Sequence, residues 1–321
     1  MKQLGNSDVQ VSNLALGTNV FGWTISERAA HDILDQFVAE GFNLIDTANV
    51  YPYWVPGLTG EESETIIGNW LGKRSGVRSR VVLATKVGFD SGRNNGGLSK
   101  SNIIKQIDKS LHRLNTSYID IYQSHIDDTS TPIEETLGAY DMLIEAGKIR
   151  VIGASNFTSD RLKKSITTST TKSLPTYSTF QPEYNLIHRS SFEKNSYKIC
   201  IDNSISILPY FSLASGYLTG KYRTESEFLS NRRGSFVKNV WDTKRMFGRK
   251  GLKLLSTLDY VSNELQSTPT GISLSWLLSQ GVTAPIASAT SKDQLSQIIN
   301  GVRTKLPTWA KEMLDSASAN I

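Results

Sequence analysis

A closed (β/α)8 barrel of the TIM type is the fold class the sequence predicts, and three observations point to it. Eight short apolar runs alternate with helical patterns along most of the 321-residue chain, which implies parallel strands joined by right-handed crossovers. The two longest connections each follow a strand rather than a helix, and that is the side on which a barrel carries its function. An open doubly wound sheet calls for Gly-x-Gly-x-x-Gly after its first strand, whereas Gly17-Thr18-Asn19-Val20-Phe21-Gly22 lacks the middle glycine.

The elements follow in order. Residues 2–4 and 9–11 flank a Gly5-Asn6-Ser7-Asp8 turn and read as an N-terminal β-hairpin. Leu14-Ala15-Leu16-Gly17 is a short buried strand, and Ser26 opens a helix whose Ile33, Leu34, Phe37 and Val38 recur at helical spacing. The same unit then repeats as strand 42–46 with helix 61–71, strand 80–85 with helix 101–113, and strand 118–123 with helix 133–146. Strand 149–153 with helix 159–167, strand 176–180 with helix 190–200, strand 204–208 with helix 251–265, and strand 282–287 with helix 291–300 complete it. A single domain over residues 1–321 is expected, with long loops at 47–60 after strand two and 219–250 after strand seven. Loops of that length are uncommon unless they carry function.

Hydrophobic residues at 38% and charged residues at 20% describe a globular chain with ample core. No apolar run reaches membrane-spanning length, and residues 1–6 lack a signal-peptide core, so a cytoplasmic protein with no membrane partner is expected. Cys200, flanked by Ile199 and Ile201, reads as a buried thiol. The net charge of +5 is concentrated: residues 221–253 hold ten Lys and Arg against Glu225, Glu227 and Asp242. No nucleic-acid-binding module accompanies this stretch, so nucleic acid is not expected, and the basic segment suits a small phosphorylated ligand.

Polar side chains gather where strands end. Asp46 closes strand two, Lys86 follows Val81-Val82-Leu83-Ala84-Thr85, and His125 follows Ile119-Asp120-Ile121-Tyr122-Gln123-Ser124. Ser155-Asn156 and Gln181 follow strands five and six, and Tyr51 lies five residues past Asp46. Singly, such residues are turn caps, solvated lysines and core histidines. Together they suit proton delivery. A free phenol titrates near 10, and an adjacent ammonium lowers that value. Lys86 is expected to act so on Tyr51, with Asp46 holding Lys86 and a neutral His125 orienting a substrate oxygen. A phenolic acid without a cysteine or serine nucleophile suits carbonyl reduction, which requires a nicotinamide as hydride source. The basic stretch and the helix start near Ser291 are placed to hold its phosphates. No metal ligand set is read.

With these residues in view, the chain resembles the aldo-keto reductases, the branch that includes potassium-channel β subunits, over nearly its whole length. The matching stretches are residues 41–51, Val82-Leu83-Ala84-Thr85-Lys86, Asp120-Ile121-Tyr122-Gln123-Ser124-His125, Gly153-Ala154-Ser155-Asn156, Gln181-Pro182-Glu183-Tyr184-Asn185 and residues 213–222. The resemblance implies a catalytic tetrad of Asp46, Tyr51, Lys86 and His125, with Tyr51 as proton donor. It implies cofactor contacts from Thr18, Asn19 and Asp46, from Ser155, Asn156 and Gln181 to the nicotinamide amide, and from Tyr210 to its ring. Phe211, Ser212, Leu213, Ala214 and Ser215, with Lys221 and Arg232, would track the pyrophosphate, and Ser288, Thr290 and Gln294 the adenosine phosphate.

Departures from the family pattern occur at Tyr210-Phe211-Ser212-Leu213, where Tyr-Ser-Pro-Leu is usual, and at Gln297 and Ile298, where Glu and Asn are common. Thr290 and Lys292 stand where a base often meets the 2′-phosphate. The implied cofactor is NADPH, with NADH the alternative, and the implied partner is a small-molecule aldehyde, ketone or keto-sugar. Trp23, Tyr53 and Trp54, with Trp241 and Phe247, are candidate walls of the substrate pocket. Two other readings stay open: a cofactor-binding regulatory subunit with little turnover, and a Schiff-base role for Lys86 as in barrel aldolases.

Overall fold

A computed structural model describes residues 1–92 and 96–319. Strands β1 (Lys2–Gln3) and β2 (Gln10–Val11) form the expected antiparallel hairpin. Eight parallel strands follow: β3 (Ala15–Gly17), β4 (Leu44–Asp46), β5 (Val82–Val87), β6 (Ile119–Ser124), β7 (Ile149–Ser155), β8 (Thr179–Gln181), β9 (Ser206–Ile207) and β10 (Ile286–Ala287). They pair in sequence, with β10 beside β3. The ring closes where Thr283 N donates to Ile207 O (3.0 Å) and Ile286 N to Pro209 O (3.0 Å).

Side chains alternate between the barrel axis and the helix layer. The axial set is Ala15, Leu44, Val82, Ala84, Ile121, Val151, Leu208, Ala284 and Ile286, which form one apolar cluster with Leu4, Val9 and Val11 of the hairpin segment. The hairpin therefore plugs one end of the barrel, anchored where Gly5 N donates to Ser206 Oγ (2.9 Å). Moving toward the carboxyl ends of the strands, the same inward parity passes from apolar to polar side chains: Asp46, Lys86, Gln123 and Gln181. Gly153 makes room for them, because a Cβ there would lie 2.2 Å from Thr179 Oγ1 and 2.8 Å from Gln123 Cγ.

Helices α1 (Glu27–Ala39), α2 (Glu62–Gly72), α3 (Lys100–Arg113), α4 (Ile133–Glu145) and α5 (Ser159–Lys172) occupy the expected crossovers. Ser26, Ser99 and Thr158 cap α1, α3 and α5 by accepting a backbone N–H three residues on, as short hydroxyl residues do. The predicted helix 190–200 is two short helices, α6 (Ser190–Asn195) and α7 (Tyr197–Asp202). The stretch after β9, expected as a loop, carries α8 (Glu225–Ser230), α9 (Arg232–Val237) and α10 (Thr243–Met246). Unit seven has two crossover helices rather than one, α11 (Arg249–Glu264) and α12 (Pro269–Ser279), and α13 (Lys292–Arg303) and α14 (Thr308–Ser318) complete the chain. Helix α12 is buried on most sides, which removes the amphipathic stripe by which a surface helix is recognised. Among the described residues no helix is long and apolar enough to cross a membrane, and no group of three acidic, His or Cys side chains could hold a metal ion.

Candidate active site

The register brings the tetrad together. Lys86 is fully buried, and its Nζ donates to Asp46 Oδ2 (2.7 Å), Thr47 O (2.7 Å) and Tyr51 Oη (3.4 Å). An ammonium has three donors and no acceptor, so all three protons are engaged. Tyr51 accepts from Lys86 and is left with its own O–H, at the wall of a cleft of about 660 Å³. That geometry also speaks against a Schiff-base Lys86: a fully engaged ammonium has no lone pair, and Asp46 and Tyr51 outweigh burial to raise its pKa.

Asp46 Oδ1 accepts from Gln181 Nε2 (2.9 Å) and Gln123 Nε2 (3.1 Å), and Gln181 Nε2 also reaches Gln123 Oε1 (3.2 Å). Both amide protons of Gln181 are thus engaged below, which leaves Gln181 Oε1 as the acceptor available to the cleft. Gln123 was legible only as a strand residue. Its place beneath Asp46 follows from its pairing level with Lys86 across β5 and β6.

The loop after β4 is held by short turns, with Tyr53 N donating to Val50 O (2.7 Å) and Ser63 N to Tyr51 O (3.1 Å). Burial pushes the Tyr51 phenol up, Lys86 pulls it down, and Asp46 pushes it up again, with a net rise. The expectation that Lys86 sets Tyr51 below its ordinary value is therefore corrected: desolvation is larger, and the ammonium only offsets part of it. Tyr51 is consequently protonated throughout the neutral range.

His125 is held by its backbone N donating to Val87 O (2.8 Å) and by Asn156 Nδ2 donating to its carbonyl (2.9 Å). Burial, then the Lys86 charge, drives its pKa well below the ordinary value, so the ring is neutral at pH 7. Since the unfolded chain protonates His125 near pH 6.5 and the folded state does not, the unfolded state binds more protons just below that pH. Stability should therefore fall as pH drops through about 6.5. Thermal melts of the wild type and His125→Gln across that range check this, the variant showing the shallower decline.

The remaining residues divide. Asn19, Ser155, Asn156, Gln181, Tyr210, Phe211, Ser212, Leu213, Ser215, Lys221, Ser288 and Gln294 line the cleft, as do Thr18 and Asp46. Thr18 Oγ1 is committed inward, donating to Asp46 O (2.9 Å) and accepting from Ser63 Oγ (2.8 Å). Tyr210 Oη donates to Asn156 Oδ1 (2.8 Å), and Ser288 Oγ to Asn19 Oδ1 (2.8 Å). Ala214 is fully buried and lies outside the lining. Thr290 stands behind Gln294, with its N and Oγ1 both donating to Gln294 Oε1 at 2.9 Å.

Arg232 is exposed, and the neighbouring Arg233 takes the place expected for it in the cleft wall. Asn231 caps α9 by accepting from Arg233 N (2.9 Å) and Gly234 N (3.0 Å). A Cβ at Gly234 would lie 1.9 Å from Phe228 O, so glycine lets α9 press against α8 and turns Arg233 inward. Among the described residues no carboxylate pairs with Arg233. Phe211, Ala214, Ser215 and Gly216 all adopt positive φ, backbone geometry of the kind that builds anion-binding concavities. Asn185 Nδ2 braces that turn by donating to Phe211 O (3.1 Å). Thr268, Pro269 and Thr270, at the amino end of the unforeseen α12, line the same region.

Of the proposed substrate walls, Trp54 lines the cleft, while Trp23 and Tyr53 stand behind it with ring centroids 5.7 and 5.4 Å from Trp54. Trp241 packs on Phe211 and His188, and Phe247 on Tyr217, so neither reaches the cleft wall. Phe89 and Phe236 line it instead.

Comparison with known proteins agrees with this architecture. Residues 13–319 match the Aldo/keto reductase family, and the chain belongs to that family, whose members are in general oxidoreductases. Protein tas of Escherichia coli (strain K12) is 32% identical over 328 residues, covering 95% of this chain and 93% of tas. Aldo-keto reductase yakc [NADP(+)] of Schizosaccharomyces pombe is 30% identical over 312 residues, covering 95% and 87%. A putative voltage-gated potassium channel subunit beta from the same yeast is 28% identical over 309 residues, covering 93% and 87%.

Proposed function

We propose that this protein is an NADPH-dependent carbonyl reductase acting on small aldehydes or ketones, with Tyr51 as the proton donor. The observation that carries the reading is the engagement of all three Lys86 protons, which leaves the Tyr51 O–H facing the cleft beside a neutral His125. A bound nicotinamide would supply hydride to the carbonyl carbon. Tyr51 gives its proton to the carbonyl oxygen, so that the product is the alcohol, and Lys86 stabilises the phenolate left behind. His125 orients the same oxygen, and the aromatic wall around it excludes water.

The residues present fit such a cofactor. Gln181 Oε1, Ser155 and Asn156 suit its carboxamide, and Tyr210 suits its ring. Lys221, Arg233, the positive-φ turn at 211–216 and the amino end of α12 concentrate positive potential at one region of the cleft, which favours a pyrophosphate. The choice of NADPH is supported by the yakc relative, whose name carries NADP(+). We place the whole chain in one catalytic domain.

A fluorescence titration with NADPH and NADH, followed by a turnover panel of aldehydes, ketones and keto-sugars, tests the reading. Tighter NADPH binding with turnover of at least one carbonyl is expected. Cofactor binding with no turnover across the panel would favour a regulatory subunit, the reading to which the channel-subunit relative points.

A further inference from the structure

Gln123 is fully buried and forms no part of the cleft lining, yet it touches both halves of the site. It pairs level with Lys86 on β5 and with Gly153 on β7. Its Nε2 donates to Asp46 Oδ1 (3.1 Å), and its Oε1 accepts from Gln181 Nε2 (3.2 Å). Chemistry sets the direction of these bonds. Asp46 is a carboxylate paired with Lys86 and can only accept, so the Gln123 amide must turn its NH2 towards Asp46 and its oxygen away. That oxygen takes one proton of Gln181, whose other proton goes to Asp46 Oδ1 (2.9 Å). With both protons held below, Gln181 shows the cleft an acceptor alone. The arrangement also needs glycine at 153, where a Cβ would lie 2.8 Å from Gln123 Cγ.

Resting on the reductase reading, we infer that Gln123 is a positioning residue: it fixes the Gln181 amide and thereby makes the cleft selective for an N–H donor on the cofactor's carboxamide. An acceptor at Gln181 recognises the carboxamide NH2. Without Gln123, one buried proton of Gln181 has no partner, a loss that turning the amide towards the cleft relieves. A turned amide would offer N–H to the carbonyl oxygen instead and would no longer read the NH2.

The experiment measures by calorimetry the Kd of NADP+ and of its 3-acetylpyridine analogue. The analogue keeps the carbonyl oxygen and the phosphates but carries methyl in place of NH2, so the ratio of the two constants reads that one group. The wild type should prefer NADP+. Gln123→Met, which keeps the length of the side chain without its amide, should narrow that preference about three- to tenfold, the net worth of one hydrogen bond. Gln123→Glu should keep it at about pH 5.5, where a carboxyl beside the charged Asp46 holds its proton, donates to Asp46 and accepts from Gln181. Gln123→Asn, too short to reach Gln181, repeats the test should Gln123→Met not fold. An unchanged preference in Gln123→Met or Gln123→Asn, equal weakening of both cofactors, loss of preference in Gln123→Glu, or a wild type that binds neither cofactor or does not distinguish them overturns the inference. A carbonyl panel is run with NADPH alongside. A preference governed by Gln123 without turnover upholds the positioning role and removes the reductase reading. Turnover with a preference indifferent to Gln123 does the reverse.

Discussion

Tyr51→Phe is expected to lower kcat for aldehyde reduction by about 10²- to 10⁴-fold, the usual worth of a positioned general acid, while NADPH affinity stays nearly unchanged. The substitution removes only Oη. The ring contacts with Trp54 and His125 do not require that atom, and Lys86 keeps its bonds to Asp46 and Thr47. Stopped-flow single-turnover measurements separate loss of the chemical step from slow product release. Near-normal turnover in this variant would remove Tyr51 from the mechanism.

Lys86→Met should have a large effect on stability as well as on turnover. It deletes one half of a buried ion pair at 2.7 Å and leaves Asp46, 4% exposed, with a charge matched only by two amide donors. Stranding one partner of such a pair costs about 3–5 kcal/mol, readable as a shift of the urea midpoint. Adding Asp46→Asn should recover most of that stability, since the stranded charge is then gone, without restoring turnover. The phenol also loses the one charge that offsets its burial, so proton transfer would weaken even in a folded variant. A double variant no more stable than Lys86→Met would show that the loss arises from packing rather than from charge.

Much of this site was legible because strand parity is simple. A run such as Val82-Leu83-Ala84-Thr85-Lys86-Val87, buried on both faces, announces a strand of a parallel sheet. The residue at its carboxyl end then falls at the mouth of the barrel, whatever the exact boundaries. Asp46, Lys86, His125, Ser155 and Gln181 were placed by that rule alone, and Tyr51 by its distance from one of them. Turn chemistry was equally plain at the hairpin and at the Ser26-capped start of α1.

Residues on irregular segments were harder. One residue along a helix turns a side chain by about 100°, so whether Arg232 or Arg233 enters the cleft depends on how α9 is rotated, and that is set by Asn231 and the close approach at Gly234. The aromatic wall of the cleft was legible only in kind. Aromatic residues were expected there, yet Phe89, just past β5, and Phe236, on α9, are distant from Trp54 in sequence, and their meeting is a property of tertiary packing.

The amino-acid sequence by itself determined the alternation of strands and helices, the barrel, the family and the residues at the strand exits, because period and parity act over a few neighbouring positions. The tertiary structure alone decided which arginine enters the cleft, which aromatic rings surround Tyr51, and that burial rather than Lys86 governs the phenol's titration. Those three depend on desolvation and on contacts between segments far apart in the chain, and local periodicity carries no record of either.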